Sequence, residues 1–317
     1  TMEIIDNSGS QAGVHSINGF GLFVPDIDEA QRFTEAFGLD VTRSGDELQL
    51  RTFGASHVWA TVLPASHKAL AYLSLGCYAE DFDEIGRQVI AAGGRAAQAP
   101  AYGDAGGFWF HDPDGNLLQL CVAPKRMPDG KAELADRSVP PGIQGACFRS
   151  TAPKVHPTRL AHMLLFTGDM PRTVAFYERG LGVRVADRSG NIVAFTYARH
   201  GCDHHLIAFA TSEHGRGLHH TAWDVPGIEG VGLGAEQMRN AGYTRHWGVG
   251  RHVLGSNYFD YVRDSFGSWW EYSAHIDYIP KGIEWQGGDR NPEDSLYLWG
   301  PGLPEDFVDN SERHPRQ

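Results

Sequence analysis

A chain of 317 residues has room for two domains, each with a core of its own. Its formal charge is −12, with 27 Lys and Arg scattered among 39 Asp and Glu, so no basic stripe offers itself to nucleic acid or to an anionic membrane. There is no apolar run of about 18 residues and no charged-then-apolar leader pattern, which leads us to expect a cytoplasmic protein with a small neutral or apolar partner.

In chain order, the first clear signal is FGLFVPDIDEAQRF (20–33), a strand running into a helix. Asp26 can cap that helix with Glu29 as return partner, and Ala30, Phe33 and Phe37 then line one face. HVWATVL (57–63) reads as a strand. EDFDEIGRQVIAAGG (80–94) reads as a second helix, with Phe82, Ile85, Val89 and Ile90 on one side before a Gly-Gly stop. Residues 124–157 have little periodicity and read as a connection. Beyond it, Asp169 opens a helix that Gly180 is expected to close. NIVAFTY (191–197) and HHLIAFA (204–210) read as strands, as does GLHHTAWDV (217–225), where alternation turns His220 to one face and His219 to the other. The same alternation sets His204 opposite His205. From Pro280 onward the composition suggests a tail draped over the second half. Cys77, Cys121, Cys147 and Cys202 are too far apart for a C-x-x-C pair and read as reduced core thiols.

The halves repeat. Phe23, Asp26 and Phe33 fall on Phe166, Asp169 and Phe176; LAYLSL (70–75) falls on LHHTAW (218–223); and FHDPDGNLLQL (110–120) falls on YVRDSFGSWWEY (261–272). The fold class expected is α+β, with four βαβββ modules, two per half. The division is 1–123 for the first domain, 124–157 for the connection, 158–279 for the second domain and 280–317 for the tail.

The repeat also sorts the polar residues. Of 16 histidines, eleven fall between His156 and His275. His162 falls on Gly19, His220 on Tyr72 and Glu271 on Gln119, so the second half carries two imidazoles and a carboxylate where the first carries none. Two histidines and one carboxylate on three strands form a facial triad, which leaves neighbouring coordination positions open and suits Fe(II) or Mn(II) oxygen chemistry. Taken singly, each has a plainer explanation, since a lone strand histidine is more often a hydrogen-bonded core residue. The set as a whole argues otherwise.

AHMLLFTGDMPRTVAFYERGLGVRV, GLHHTAWDV and YVRDSFGSWWEYSAH resemble the three ligand segments of the type I extradiol ring-cleavage dioxygenases of the vicinal oxygen chelate superfamily, over residues 15–275. The resemblance implies that the modules pair into two similar open barrels, of which the first is catalytically empty. It implies His162, His220 and Glu271 as ligands of Fe(II), with Mn(II) an alternative. It places an oxygen-side proton donor on His205, in HHLIAF, and substrate-side groups on His252, in GRH, and Tyr261. Its partners are an aromatic diol and O2, its usual state a homo-oligomer, and its reaction meta ring opening in aromatic catabolism. One departure is Gly255, where biphenyl-type members carry an aspartate three residues after the GRH histidine. The ending LYLWGPGLPEDFVDN also differs from the biphenyl-type one and leans towards a monocyclic polyhydroxylated ring. The alternatives are a glyoxalase- or epimerase-type isomerase or lyase, which generally uses a fourth protein ligand, and a metal-free binding protein like those of bleomycin resistance.

Overall fold

In the computed structural model, which describes residues 12–134 and 138–312, the chain builds two sheets of matching plan. The first half runs β1 (Ser16–Val24), α1 (Ile27–Phe37), β2 (Asp40–Ser44), β3 (Glu47–Arg51), β4 (Ala60–Pro64), β5 (Ala69–Cys77), α2 (Phe82–Ala91), β6 (Arg95–Ala96), β7 (Phe108–His111) and β8 (Leu117–Val122). The second runs β9 (Arg159–Thr167), α3 (Met170–Leu181), β10 (Arg184–Ser189), β11 (Val193–Tyr197), β12 (Cys202–Asp203), β13 (Ile207–Thr211), β14 (Gly217–Asp224), α4 (Gly227–Asn240), β15 (His246–His252), β16 (Tyr258–Arg263), β17 (Trp269–Ala274), β18 (Tyr278–Ile279) and β19 (Tyr297–Trp299).

The sheet orders are β2-β3-β4-β1-β5-β8-β7-β6 and β10-β11-β13-β9-β14-β17-β16-β15-β19. Each is two βαβββ modules joined at their first strands, β1 against β5 and β9 against β14. The additions in the second half are the short β12–β18 pair and β19, an edge strand supplied by the tail.

The helices lie between the sheets, α1 against α4 and α2 against α3. Their buried faces share one core: Phe37 of α1 stacks on Tyr272 at 4.1 Å between ring centroids, and the Tyr272 hydroxyl donates to the Phe37 carbonyl at 2.8 Å. Asp26 caps α1 by accepting from the Glu29 amide, but the Glu29 carboxylate does not serve as its return partner; it accepts from Arg32, Tyr243 and Ser265 and so ties α1 to the second half. Helix α3 ends at Gly182, which has the left-handed φ of +71°, two residues beyond the expected Gly180. Ile85 and Val89 of α2 are buried, whereas Ile90 is exposed. The four cysteines are free, but Cys147 lies exposed in the connection rather than in a core.

The tail covers more than the second half. Beyond β19 it continues to Glu312, whose carboxylate forms an ion pair of 2.9 Å with Lys68 and accepts from the amides of Leu70 and Leu218. Lys68 and Glu312 are both buried, so the chain is fastened at the joint between β5 and β14.

Candidate functional site

Strand register brings the triad together. His162 on β9 is in register with Ala222 on β14, and Ala222 with Glu271 on β17, so ligand, methyl and ligand form one row across three strands. His220, two residues before Ala222, projects from the same face. All four are buried, and one ligand atom from each of His162, His220 and Glu271 lies within 4.8 Å of the others. Among the described residues this is the one such group, and no fourth protein ligand joins it.

The first half repeats the register with other residues: Gly19 pairs with Ser74, and Ser74 with Gln119. This reproduces the sequence correspondence of His162 with Gly19, His220 with Tyr72 and Glu271 with Gln119.

The donor set fits a divalent cation. One Glu271 oxygen is 3.2 Å from His162 Nε2 and 3.5 Å from His220 Nε2, and His220 Nε2 is buried without a hydrogen-bond partner. The ion-pair partners of this buried carboxylate among the described residues are imidazoles. Burial pushes the His220 pKa well below its ordinary range, as do the neighbouring histidines, so the ring is neutral and offers a lone pair to a ligand position. A buried carboxylate whose ion-pair partners are imidazoles is a favourable place for a cation. The other Glu271 oxygen accepts from Asn257 Nδ2 at 3.0 Å, and the same Asn257 amide reaches Ser273 Oγ at 2.9 Å, which fixes the carboxylate plane.

The other three expected residues surround this set. His205 stands beside His162, ring centroids 4.0 Å apart, and burial pushes its pKa well below normal. His252 Nε2 is 3.0 Å from the Tyr261 hydroxyl and 3.7 Å from Glu271. Burial, and then the adjoining Glu271, raise the Tyr261 pKa far above 10, while burial lowers that of His252.

Two expectations about histidine pairs need correction. His219 does not face away from His220: the pairing of β14 with β9 slips between Leu218 and His220, a bulge that takes His219 out of alternation. The two rings touch, Nδ1 to Nδ1 at 2.7 Å, and His219 Nε2 meets the Phe307 carbonyl at 2.6 Å. His204 and His205 precede β13 instead of lying in it, and they too touch, Nδ1 to Nδ1 at 3.1 Å. Asp187 holds the outer nitrogen of His204 at 2.9 Å and is itself gripped by Trp285, Gly288 and Arg290.

Gly255 also finds its reason. Its φ is +90°, which a residue with a side chain rarely adopts, and a Cβ there would press on Asn257 Oδ1 at 3.2 Å. The partner of His252 Nδ1 is instead the Leu296 carbonyl in the tail, at 2.7 Å. No sequence signal marks Leu296 or Phe307, because each contributes a backbone oxygen. Asn257 and His219 were within reach, as polar residues beside ligand strands.

The family model described as Glyoxalase/Bleomycin resistance protein/Dioxygenase superfamily matches residues 16–120 and 159–272. Metapyrocatechase 2 of Cupriavidus necator is 50% identical over 299 residues, 94% of this chain and 93% of that protein. Among solved structures, the Mn(II)-bound glyoxalase from Novosphingobium aromaticivorans superposes with a TM-score of 0.73 at 23% identity, over 96% of this chain and 95% of that one. The 2,2',3-trihydroxybiphenyl 1,2-dioxygenase from Sphingomonas wittichii gives 0.71 at 19%, over 92% and 100%. The chain belongs to the glyoxalase/bleomycin resistance protein/dioxygenase superfamily and, within it, to the extradiol ring-cleavage dioxygenases. Among the described residues, no helix is long and apolar enough to cross a membrane.

Proposed function

We propose that this chain opens catechol or a substituted catechol with O2 at an Fe(II) held by His162, His220 and Glu271. The observation that carries the reading is the row of His162, Ala222 and Glu271 with His220 beside it, two imidazoles and a carboxylate buried together with one ligand atom from each within 4.8 Å of the others. Half identity to a metapyrocatechase supports the substrate class. Mn(II) would accept the same donors, and a glyoxalase of the same fold is Mn(II)-bound. The absence of a fourth ligand in the donor group favours ring cleavage over isomerisation.

His162, His220 and Glu271 would hold the metal, which when bound would supply the Lewis acidity and electron-transfer chemistry that let catechol react with O2. The protein's part is proton handling. His252, neutral because burial lowers its pKa, can accept the hydroxyl proton of the substrate at Nε2, and Tyr261, kept protonated by burial and Glu271, can donate a hydrogen bond to the resulting oxygen. His205 also begins neutral. It must take up a proton within the cycle before giving one to the departing oxygen, so it is both acceptor and donor.

The test is oxygen uptake by the anaerobically Fe(II)-loaded protein over a panel of catechols and trihydroxylated rings, with metal measured on the same sample. One O2 consumed per ring, with a yellow ring-opened product, is expected. Metal-loaded protein with no uptake on any catechol overturns the reading.

A further inference from the structure

Two of the histidines around the site end their hydrogen-bond chains in the tail. His252 Nδ1 meets the Leu296 carbonyl, and His219 Nε2 meets the Phe307 carbonyl while its Nδ1 meets His220 Nδ1. A carbonyl oxygen has no proton to give, so the ring nitrogen facing it must carry one. His219 is buried, and its ring nitrogens meet the Phe307 carbonyl and the His220 ring, neither of them an anion that would balance a second proton, so its ring holds a single proton. With that proton on Nε2, His219 Nδ1 is bare and can only accept. The contact of 2.7 Å is then a hydrogen bond donated by His220 Nδ1, which leaves His220 Nε2 bare and facing Glu271. The Leu296 carbonyl likewise holds a proton on His252 Nδ1, which leaves Nε2 to the Tyr261 hydroxyl.

We propose that the tail is a proton-placing element: the carbonyls of Leu296 and Phe307, the second acting through His219, hold the ring protons of His252 and His220 on Nδ1, so that both Nε2 atoms are free when metal and substrate arrive. His219 is thereby a positioning residue for the metal ligand next to it. The inference rests on the reading of His220 as a ligand. The tail can act this way because Leu296 leads directly into β19 and Phe307 is fixed on both sides. Arg251 and His252 of β15 pair with Trp299 and Tyr297 of β19, Trp247 Nε1 donates to the Pro301 carbonyl at 3.0 Å, and Glu312 is locked to Lys68.

The experiment is ring-nitrogen NMR of the [15N]histidine-labelled, metal-free full-length chain, which distinguishes the two tautomers, paired with anaerobic Fe(II) titration against a competing chelator. The expected spectrum has His220 and His252 protonated at Nδ1 and His219 at Nε2. His219→Leu, which removes the acceptor, should weaken Fe(II) binding 10- to 100-fold, the range typical for partners behind a metal-bound histidine. His219→Asn, whose side-chain oxygen can stand where Nδ1 stood, should stay within about 3-fold of wild type. A wild-type His220 protonated at Nε2, or unchanged Fe(II) affinity in His219→Leu, overturns the proposal. If His219→Leu does not fold, the wild-type spectrum decides alone. A wild-type chain that takes up no Fe(II) overturns the ligand reading beneath it, a result distinct from a failed tautomer assignment because the spectrum is recorded without metal.

Discussion

The two halves present the same three-strand row with opposite chemistry. In the first, the Ser74 hydroxyl donates to Gln119 Oε1 at 2.7 Å and Gln119 Nε2 donates to the Gly106 carbonyl at 2.8 Å, so the row satisfies itself. The cup above it is filled by Tyr72 packed against Trp109 and Tyr102; Gly21 makes way, since a Cβ there would lie 2.4 Å from the Tyr72 ring. In the second, Ala222 supplies only a methyl, and His220 Nε2 and the Glu271 carboxylate face each other across the gap. Folded proteins rarely leave buried polar atoms unpaired, yet His162 Nδ1 and His220 Nε2 are buried without a partner while no side-chain atom of Ser74 or Gln119 is, so the second row is the one suited to a cation.

The widest contrast expected is between Glu271→Ala and Gln119→Ala. The first should abolish metal binding and lower kcat/KM by about 1000-fold or more, the scale of several kcal/mol that a catalytic metal supplies. The second should leave metal content and turnover within about 2-fold while costing roughly 1 kcal/mol of stability. Metal analysis and oxygen uptake on the purified pair check this; equal losses would erase the distinction between halves. Next in size is the fastening between them. Lys68→Met strands a buried carboxylate at Glu312 and should cost about 3–5 kcal/mol in urea unfolding. A cost under about 1 kcal/mol would mean the joint does not depend on the tail.

Acidity probes another contact between the halves. Asp112 in the β7–β8 turn is buried and accepts from Tyr177 of α3 at 3.1 Å, and burial pushes its pKa from 3.8 up to about 6. The folded state therefore holds a proton that the unfolded chain has released. This group's contribution is fully present below pH 3.8 and is lost as pH rises through about 6, a swing of about 3 kcal/mol. Denaturant unfolding of Asp112→Asn against wild type between pH 4 and 7 should show that component gone; parallel curves would contradict it. The smallest effect belongs to Ser74→Ala, about 1 kcal/mol for one buried hydrogen bond, with turnover unchanged. A loss of activity there would show that the first half is less inert than its row suggests.

The gathering of His162, His220 and Glu271 in one place was legible in the sequence because duplication supplied a control: the residues opposite them could be read off as Gly19, Tyr72 and Gln119. The βαβββ order was legible for the same reason, since Asp26 and Asp169 each start a helix at the same place in the repeat. His219 was misread because alternation holds only along an unbroken ladder, and the slip opposite Leu164 cannot be inferred from β14 alone. Ile90 was misread because helical spacing puts it near Val89 without saying where the buried arc ends. The tail defeated pattern reading altogether. Its contributions at Leu296 and Phe307 are carbonyl oxygens, which every residue possesses, and its end is fixed by a single carboxylate, Glu312, on a lysine far away in the chain.

That distance along the chain has a consequence in time. The last ligand, Glu271, emerges from the ribosome about 36 residues before Phe307, a lag of about 2–7 s at 5–20 residues per second. During that interval a nascent chain holds all three ligands without the contact that orients His220, and the lysine that will receive Glu312 has been waiting since the first half was made. The order of synthesis thus withholds the finished metal site until the whole protein can close around it, which should leave stalled intermediates poor at capturing iron. Fe(II) retention by ribosome-bound chains that end at residue 290 and are held clear of the exit tunnel by a linker, equal to that of the released protein, would contradict this sequence of events.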